Sequence, residues 1–293
     1  MRVTDAHIHF FETDRYRYSW LDEEAMAGIT RPFGPDDYLA IAADGPVDVT
    51  ATVHVHAEPD PDTDQFALLR HLQELREQKG LPSAAIGWAD LSAPDLPDLL
   101  TALAEVEVFR GVRQHVFHPP PGEEYPTQAP RPHMMAEERW RAGFTELGER
   151  GFTFDLLFWS NQLPEAVDLL EECAGTRVVI EHALFPSIWP SFETWRQAIR
   201  ALPAHDNVYA KVSAFGQMGT VTTDKVRPYI EELLDHFGTD HVMLASNFPV
   251  DRLHSSWDQL WNAYLGAVSG LSVTEQDQVL RSNALDAYGI AGA

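Results

Sequence analysis

The chain is 293 residues long, 44% hydrophobic and 23% charged, with 21 basic against 45 acidic side chains and a formal net charge of −24. That apolar share excludes a disordered acidic chain, and the length suits one large core such as an α/β barrel of about 250 residues. The charge excludes nucleic acid and anionic membrane as partners, because their phosphates would repel the chain, and leaves a small molecule as the partner.

The first β-type run, Val3–His9, leads into a stretch without regular pattern, Phe10–Pro35. Val47–Val55 reads as a second strand. An amphipathic segment follows at Asp64–Lys79, where Phe66, Leu69, Leu72 and Leu75 recur at threes. Two further strands are predicted at Ala84–Ala89 and Arg110–Phe117. The stretch Pro119–Pro132 carries Pro119, Pro120, Pro121, Pro126, Pro130 and Pro132 and cannot be helix interior. Alternation then becomes regular. Strands at Phe152–Phe158, Arg177–His182, Asn207–Ser213 and His241–Ser246 interleave with helices at Ala136–Arg150, Gln162–Cys173, Thr194–Leu202, Asp224–His236 and Ser256–Val268. A terminal helix, Thr274–Ala287, takes Thr274 as its N-cap.

The strands are short and rich in Val, Ile, Phe and Ala, as strands buried on both faces are. Repeated strand–helix units predict parallel strands with right-handed crossovers, and eight of them fit a closed (β/α)8 TIM barrel forming a single domain over residues 1–293. No G-x-G-x-x-G follows the first strand, which counts against a dinucleotide-binding sheet. The two irregular stretches read equally as lids or as solvated insertions. Cys173 is alone, so no intrachain disulfide or cysteine-based zinc cluster forms, and one thiol suits a reducing cytoplasm. The start of the chain has no apolar signal core and no run is long enough to span a membrane. A cytoplasmic protein is expected, with a homodimer as the default assembly.

Chemistry in such a barrel sits at the C-terminal strand ends. The first strand ends Asp5-Ala6-His7-Ile8-His9, and residues two apart share a face, so His7 and His9 point together into the mouth. Imidazole nitrogen is a good zinc ligand. The sixth strand brings His182 to the same end, and the eighth brings Asn247, just before Phe248-Pro249. Three histidines and a polar oxygen would converge there. Glu181 precedes His182 and by alternation should point away.

The segments D-A-H-I-H-F, F-D-L-L-F-W-S-N-Q-L-P, V-V-I-E-H-A and F-G-T-D-H-V-M-L-A-S-N-F-P-V-D, in that order, resemble the amidohydrolase superfamily. The branch is the amidohydrolase-2 group, which includes sugar-lactone and pyrone-dicarboxylate lactonases. The resemblance implies a (β/α)8 barrel and hydrolysis of a cyclic ester or amide. Some relatives are lyases or isomerases instead, decarboxylases of aromatic acids among them, and a barrel that binds but no longer catalyses is a third reading. Metal-dependent members use the strand-1 pair, a later histidine and a strand-8 Asp. The resemblance thus implies one divalent ion on His7, His9 and His182, zinc favoured by the imidazoles. Metal-free lactonases of the branch polarise the carbonyl with His and Arg, which is the alternative.

Three departures bear on this. Asn247 stands where relatives carry Asp, and an amide cannot take a proton at neutral pH. Trp159-Ser160-Asn161-Gln162 replaces Y-P-H-Q, and His182-Ala183-Leu184 replaces H-A-G. Position leaves Glu58, Asp251, Glu181 and His118 as candidates for the missing base, with Asp251 equally suited to cap the helix near Ser255. Arg113 and His115 alternate on strand 4, and Arg113 can hold a substrate carboxylate or polarise a carbonyl, unless it is spent in a buried ion pair with Asp155. Lys211 on strand 7 either faces the site or points outward to a helix acid. Trp159 and Asn161 join the substrate-binding set. The loop aromatics Phe10, Phe11, Tyr16, Tyr18 and Trp20, with Phe185 and Trp189, suggest an aromatic-rimmed mouth suited to a ring. With most acids on the outer helices, the pocket is expected to carry the opposite potential to the surface.

Overall fold

The computed structural model describes residues 1–123 and 129–291. Pro126, one of the prolines of the stretch Pro119–Pro132, lies outside them. Eight parallel strands pair in sequence order: β1 (Arg2–Ile8), β2 (Asp48–Val55), β3 (Ala84–Gly87), β4 (Phe109–Val112), β5 (Thr153–Leu156), β6 (Arg177–Ile180), β7 (Val208–Val212) and β8 (Val242–Leu244). A parallel bridge from Ile8 to Phe248 joins the last segment to the first, so the sheet curls into a (β/α)8 barrel. Each strand exists where it was expected, but several are shorter at the C-terminal end. Arg110–Phe117 shrinks to β4 because the pairing with β5 stops at Val112, and the buried residues beyond it, Arg113–Phe117, continue into the mouth.

The helices are α1 (Pro35–Ala42), α2 (Gln65–Lys79), α3 (Leu96–Ala104), α4 (Glu138–Glu149), α5 (Leu163–Glu172), α6 (Phe192–Ala201), α7 (Thr223–Phe237) and α8 (Trp257–Ala267). The short α1 and α3 carry too few turns for the apolar period to stand out in the sequence. Local chemistry sets the boundaries of α2: Asp64 accepts from the amides of Phe66 and Ala67, both at 3.0 Å, and Gly80 ends the helix at φ 81°. Phe10–Pro35 is not a solvated insertion. Phe10, Phe11, Tyr18, Leu21, Ile29 and Phe33 are buried, and Phe11 pairs with Phe33. No helix among the described residues is long and apolar enough to cross a membrane.

Inside the barrel, Ala6, Val53, Val55, Ala84, Ile86, Val179, Met243 and Ala245 pack together, and Ala284, Ala287 and Tyr288 of the C-terminal segment close the floor against them. That segment is not one regular helix. Ser272, not Thr274, caps it, accepting from the Glu275 amide at 3.3 Å while Glu275 accepts from the Ser272 amide at 2.8 Å, a reciprocal pair that needs the Ser-x-x-Glu spacing. A π-helical turn at Gln278–Ser282 follows before Asn283–Ala287. The Tyr288 hydroxyl then reaches up into the barrel, 2.8 Å from Lys211 Nζ and 3.0 Å from Asp155 Oδ1. Tyr288→Phe strands a buried ion pair without one partner and should cost about 1–3 kcal/mol of stability, read from the denaturant midpoint at constant m-value. An unchanged midpoint would show that the floor contact is dispensable.

Candidate active site at the barrel mouth

The strand ends do not simply continue strand alternation. In β1 the register with β2 shifts between Asp5 and Ile8, so His7 turns inward directly after Ala6. His7 Nε2 and His9 Nε2 meet at 3.1 Å. After β6 the chain enters the left-handed region at His182, Ala183, Leu184 and Phe185, with φ from 43° to 59°. Strand alternation therefore ends at Ile180, and Glu181 and His182 both turn into the barrel. This corrects the expectation that Glu181 points away. Its Oε1 lies 3.4 Å from His7 Nδ1, and both residues are fully buried.

Each imidazole has a partner facing its Nδ1: Glu181 for His7, the Val55 carbonyl for His9 at 2.9 Å, and Ser213 Oγ for His182 at 2.7 Å. Such outer contacts orient metal-binding histidines. Because a carbonyl only accepts, His9 carries its proton on Nδ1 and turns the lone pair of Nε2 toward His7. A proton on His7 Nε2 would satisfy that contact, but it leaves the His7 Nδ1 lone pair facing Glu181 Oε1. Neither of those two buried atoms has a hydrogen-bond partner. A cation resolves the conflict. Ligand atoms of His7, Glu181 and His182 lie within 4.8 Å of one another, so these residues fit a divalent ion. Glu181 thus joins the expected histidines, with His9 alongside. Burial keeps all three imidazoles neutral: it drives His7 and His182 well below the ordinary histidine range, with Lys211 and Arg113 adding to it, and His9 down to about 3.

Below and beside the histidines runs a ladder of buried charge. Lys211 Nζ is 2.6 Å from Asp155 and 3.8 Å from Glu181. Arg113 Nε donates to Glu181 Oε2 at 2.8 Å, and its Nη1 donates to Glu58 Oε1 at 3.0 Å and to the His56 carbonyl at 3.1 Å. Glu58, held at φ 55° past β2, also contacts His115 Nε2. Asp155 therefore pairs with Lys211 and not with Arg113, and Lys211 points inward. Burial acts to raise the Glu58 carboxyl, but His115 and Arg113 outweigh it and hold it well below the usual carboxylate range. Burial raises Glu181, with Arg113 and Lys211 pulling against it.

On the β8 side the Asn247 amide donates to the His7 carbonyl at 2.9 Å, which holds the two strand ends together. Its Nδ2 donates to Asp251 Oδ1 at 3.1 Å. Asp251 is therefore not the cap of α8, a role that Ser256 takes through the Gln259 amide at 3.2 Å. Burial pushes the Asp251 carboxyl up to about 7, with Asn247 pulling against it.

A cavity of about 410 Å³ opens over these groups, the size of a small-molecule site. His9, His182, Arg113, Asn247 and Glu58 line it. So do Trp20, Met26, Phe117, Leu157 and Phe185. His7 and Lys211 lie beneath, wholly buried, and Asp251 lies behind Asn247. His115 turns to a neighbouring cavity on the far side of Glu58. Trp159 packs edge-on to Phe117, 4.9 Å between ring centres, Asn161 is exposed, and the half-buried His118 donates its backbone amide to Gln162 Oε1 at 2.9 Å. None of these three lines the cavity, because the chain leaves the mouth after Leu157 and folds into a short turn at Ser160–Gln162. Of the loop aromatics, Trp20 and Phe185 reach the cavity while Phe10, Phe11 and Tyr18 are buried elsewhere. Phe117 and Met26 had no distinguishing signal in the sequence.

Two outcomes follow. Ser213→Ala removes the partner of His182 Nδ1 and should weaken zinc binding about 10- to 100-fold in chelator competition; equal affinity would show that His182 holds no ion. Asp251 has a folded pKa of about 7 against an ordinary 3.8, so the unfolded chain loses its proton first. Its contribution to stability is therefore lost as pH rises from about 4 to about 7. Asp251→Asn should gain in melting temperature over the parent as pH is raised from 5 to 8 (roughly the span of that titration), with the two converging toward pH 4. A constant difference across that range would refute the shift.

An amidohydrolase family model matches residues 4–290. An uncharacterised protein of Sinorhizobium fredii is 32% identical over 98% of both chains. An L-fucono-1,5-lactonase of Burkholderia ambifaria is 27% identical over 85% of this chain and 81% of its own. Among solved structures, an amidohydrolase of Burkholderia multivorans with bound zinc superposes with a TM-score of 0.78 at 23% identity, covering 99% of this chain and 100% of that one. With the barrel, the strand-end histidines and a match over nearly the whole length, the chain belongs to the amidohydrolase family.

Proposed function

We propose that this chain hydrolyses a lactone or a related cyclic ester or amide at the barrel mouth. The observation that carries the reading is the cluster of neutral, oriented imidazoles beside one arginine at the floor of a ring-sized cavity. The relationship to a fuconolactonase supports it.

Arg113 uses Nε and Nη1 on the protein, which leaves Nη2 to donate to the carbonyl oxygen on which negative charge develops. Water attacks the carbonyl carbon, and a cavity-lining imidazole takes its proton: His9, or His182 when no ion occupies it. The ring C–O or C–N bond then breaks, and the same imidazole returns the proton to the departing ring atom. Glu58 is a poor base, because Arg113 and His115 engage its carboxylate and hold it well below the usual carboxylate range. Asp251 does not itself line the cavity and serves to commit Asn247 Nδ2, which leaves Asn247 Oδ1 to accept from water or substrate. A divalent ion held by His7, Glu181 and His182, zinc by the preference of imidazole donors, supplies Lewis-acid polarisation and a more acidic water when bound.

Incubation with a panel of five- and six-membered lactones and lactams should yield products heavier by one water, with no loss of carbon dioxide from aromatic acids. His9→Ala and His182→Ala should each lower kcat/KM at least about 100-fold with the circular dichroism spectrum unchanged. Full turnover in both variants would sink the assignment of the site. Release of carbon dioxide with no ring opening would make the chain a lyase on the same scaffold.

A further inference from the structure

The cavity walls say which kind of ring fits, and the reasoning rests on the proposed hydrolase site. We propose that the substrate is an uncharged ring carrying an apolar or aromatic substituent, and neither an anionic nor a polyhydroxylated lactone.

Charge is the first ground. Arg113 is the one permanent cation among the described residues that line the cavity. Two of its three nitrogens are spent, Nε on Glu181 and Nη1 on Glu58 and the His56 carbonyl. A bidentate grip on a substrate carboxylate needs two nitrogens of one edge, and no edge is left whole. Lys211 is sealed beneath at 0% exposure and bound to Asp155 and Tyr288. Glu58 in the wall and Glu23 at the rim present carboxylates to anything entering. A carboxylate-bearing ring thus meets two like charges and no free clamp. The expectation of a pocket opposite in sign to the surface does not hold, because every buried cation here is already matched by an acid.

Shape and polarity are the second ground. Four polar lining groups, His9, His182, Arg113 and Asn247, gather about His7 and Glu181, where a single carbonyl would sit. The rest of the wall is mostly apolar, Trp20, Met26, Phe117, Leu157 and Phe185 among it; Gln217 is the one further uncharged polar side chain among the described lining residues besides Trp20, and its Oε1 already accepts from Ser187 at 3.0 Å while Trp20 Nε1 donates to the Ala57 carbonyl at 3.2 Å. Sugar hydroxyls placed there would give up water for few partners, whereas an alkyl or aryl group would bury its surface favourably.

Calorimetry on the full-length protein with three cyclohexanones tests this: one phenyl-substituted, one bearing a carboxylate, one polyhydroxylated. A ketone ring has no scissile bond, so the order of affinities reports the walls whatever reaction the site performs. The phenyl compound should bind at least about 10-fold tighter than either of the others. Phe185→Ala should reduce that preference. Glu58→Gln should improve the relative affinity of the carboxylate compound several-fold by removing a like charge from the wall and leaving the Arg113 charge less fully matched. Equal or tighter binding of the carboxylate or polyhydroxylated ring overturns the proposal, as does failure of all three to bind. Tight binding of the phenyl ketone with no lactone or lactam opened would support this inference while refuting the hydrolase reading.

Discussion

The Glu181 carboxylate is the hinge of this structure. It lies at the barrel axis with no exposure, 2.8 Å from Arg113 Nε, 3.8 Å from Lys211 Nζ and 3.4 Å from His7 Nδ1. Removing a carboxylate from water is expensive unless its oxygens find donors, and breaking such a buried pair costs about 3–5 kcal/mol because it leaves the partner charge alone. The constraint propagates. Holding Arg113 Nε on Glu181 directs Nη1 to Glu58, and Glu58 in turn engages His115. Downward, Lys211 links the same carboxylate to Asp155 and to Tyr288 on the C-terminal segment. Floor, axis and mouth are therefore one electrostatic object. Its acids, Asp155, Glu181 and Glu58, exceed its permanent cations, Lys211 and Arg113, by one charge. The unpartnered atoms His7 Nδ1 and Glu181 Oε1 mark where a further positive charge fits, as a metal ion between them or as a proton on the Glu181 carboxyl that burial raises.

The backbone at the mouth serves the same end. Glu58, His182 to Phe185, Ala214 and Asn247 all occupy left-handed conformations just past β2, β6, β7 and β8; among the described non-glycine residues with positive φ, His133 alone lies apart. Each costs of order ~1 kcal/mol for a residue with a Cβ. Such bends stop strand alternation at the point where the barrel opens and turn successive side chains the same way. The packed barrel below supplies the stability that offsets them, and the outcome is a rigid cluster of imidazoles whose rings are oriented from behind by Glu181, Val55 and Ser213.

Arrangement also changes what the substitution at residue 247 means. A carboxylate is not lost from this side of the mouth; Asp251 stands 3.1 Å behind the Asn247 amide. It is displaced out of the cavity, where it orients a neighbour and cannot reach a substrate. In the proposed hydrolysis, proton transfer then falls to the imidazoles.

Much of this was legible in the sequence. Short apolar runs alternating with amphipathic segments determined eight parallel strands in a barrel, because strands buried on both faces and helices buried on one leave distinct hydrophobic periods. The rule that chemistry gathers at C-terminal strand ends singled out His7, His9, His182, Arg113 and Asn247, and the fold does bring them to one mouth. Only the tertiary structure decided how they meet. Alternation placed Glu181 outside because periodicity assumes a regular strand, and a left-handed turn at His182 ends that regularity. His118, Trp159 and Asn161 were expected in the cavity because position in sequence past a strand says nothing of which way the loop folds. The partners of Arg113, Lys211 and Asp155 come from different strands far apart in the chain, so which cation met which acid depended on depth along the barrel axis. Depth is a property of the closed barrel and has no signature in local sequence.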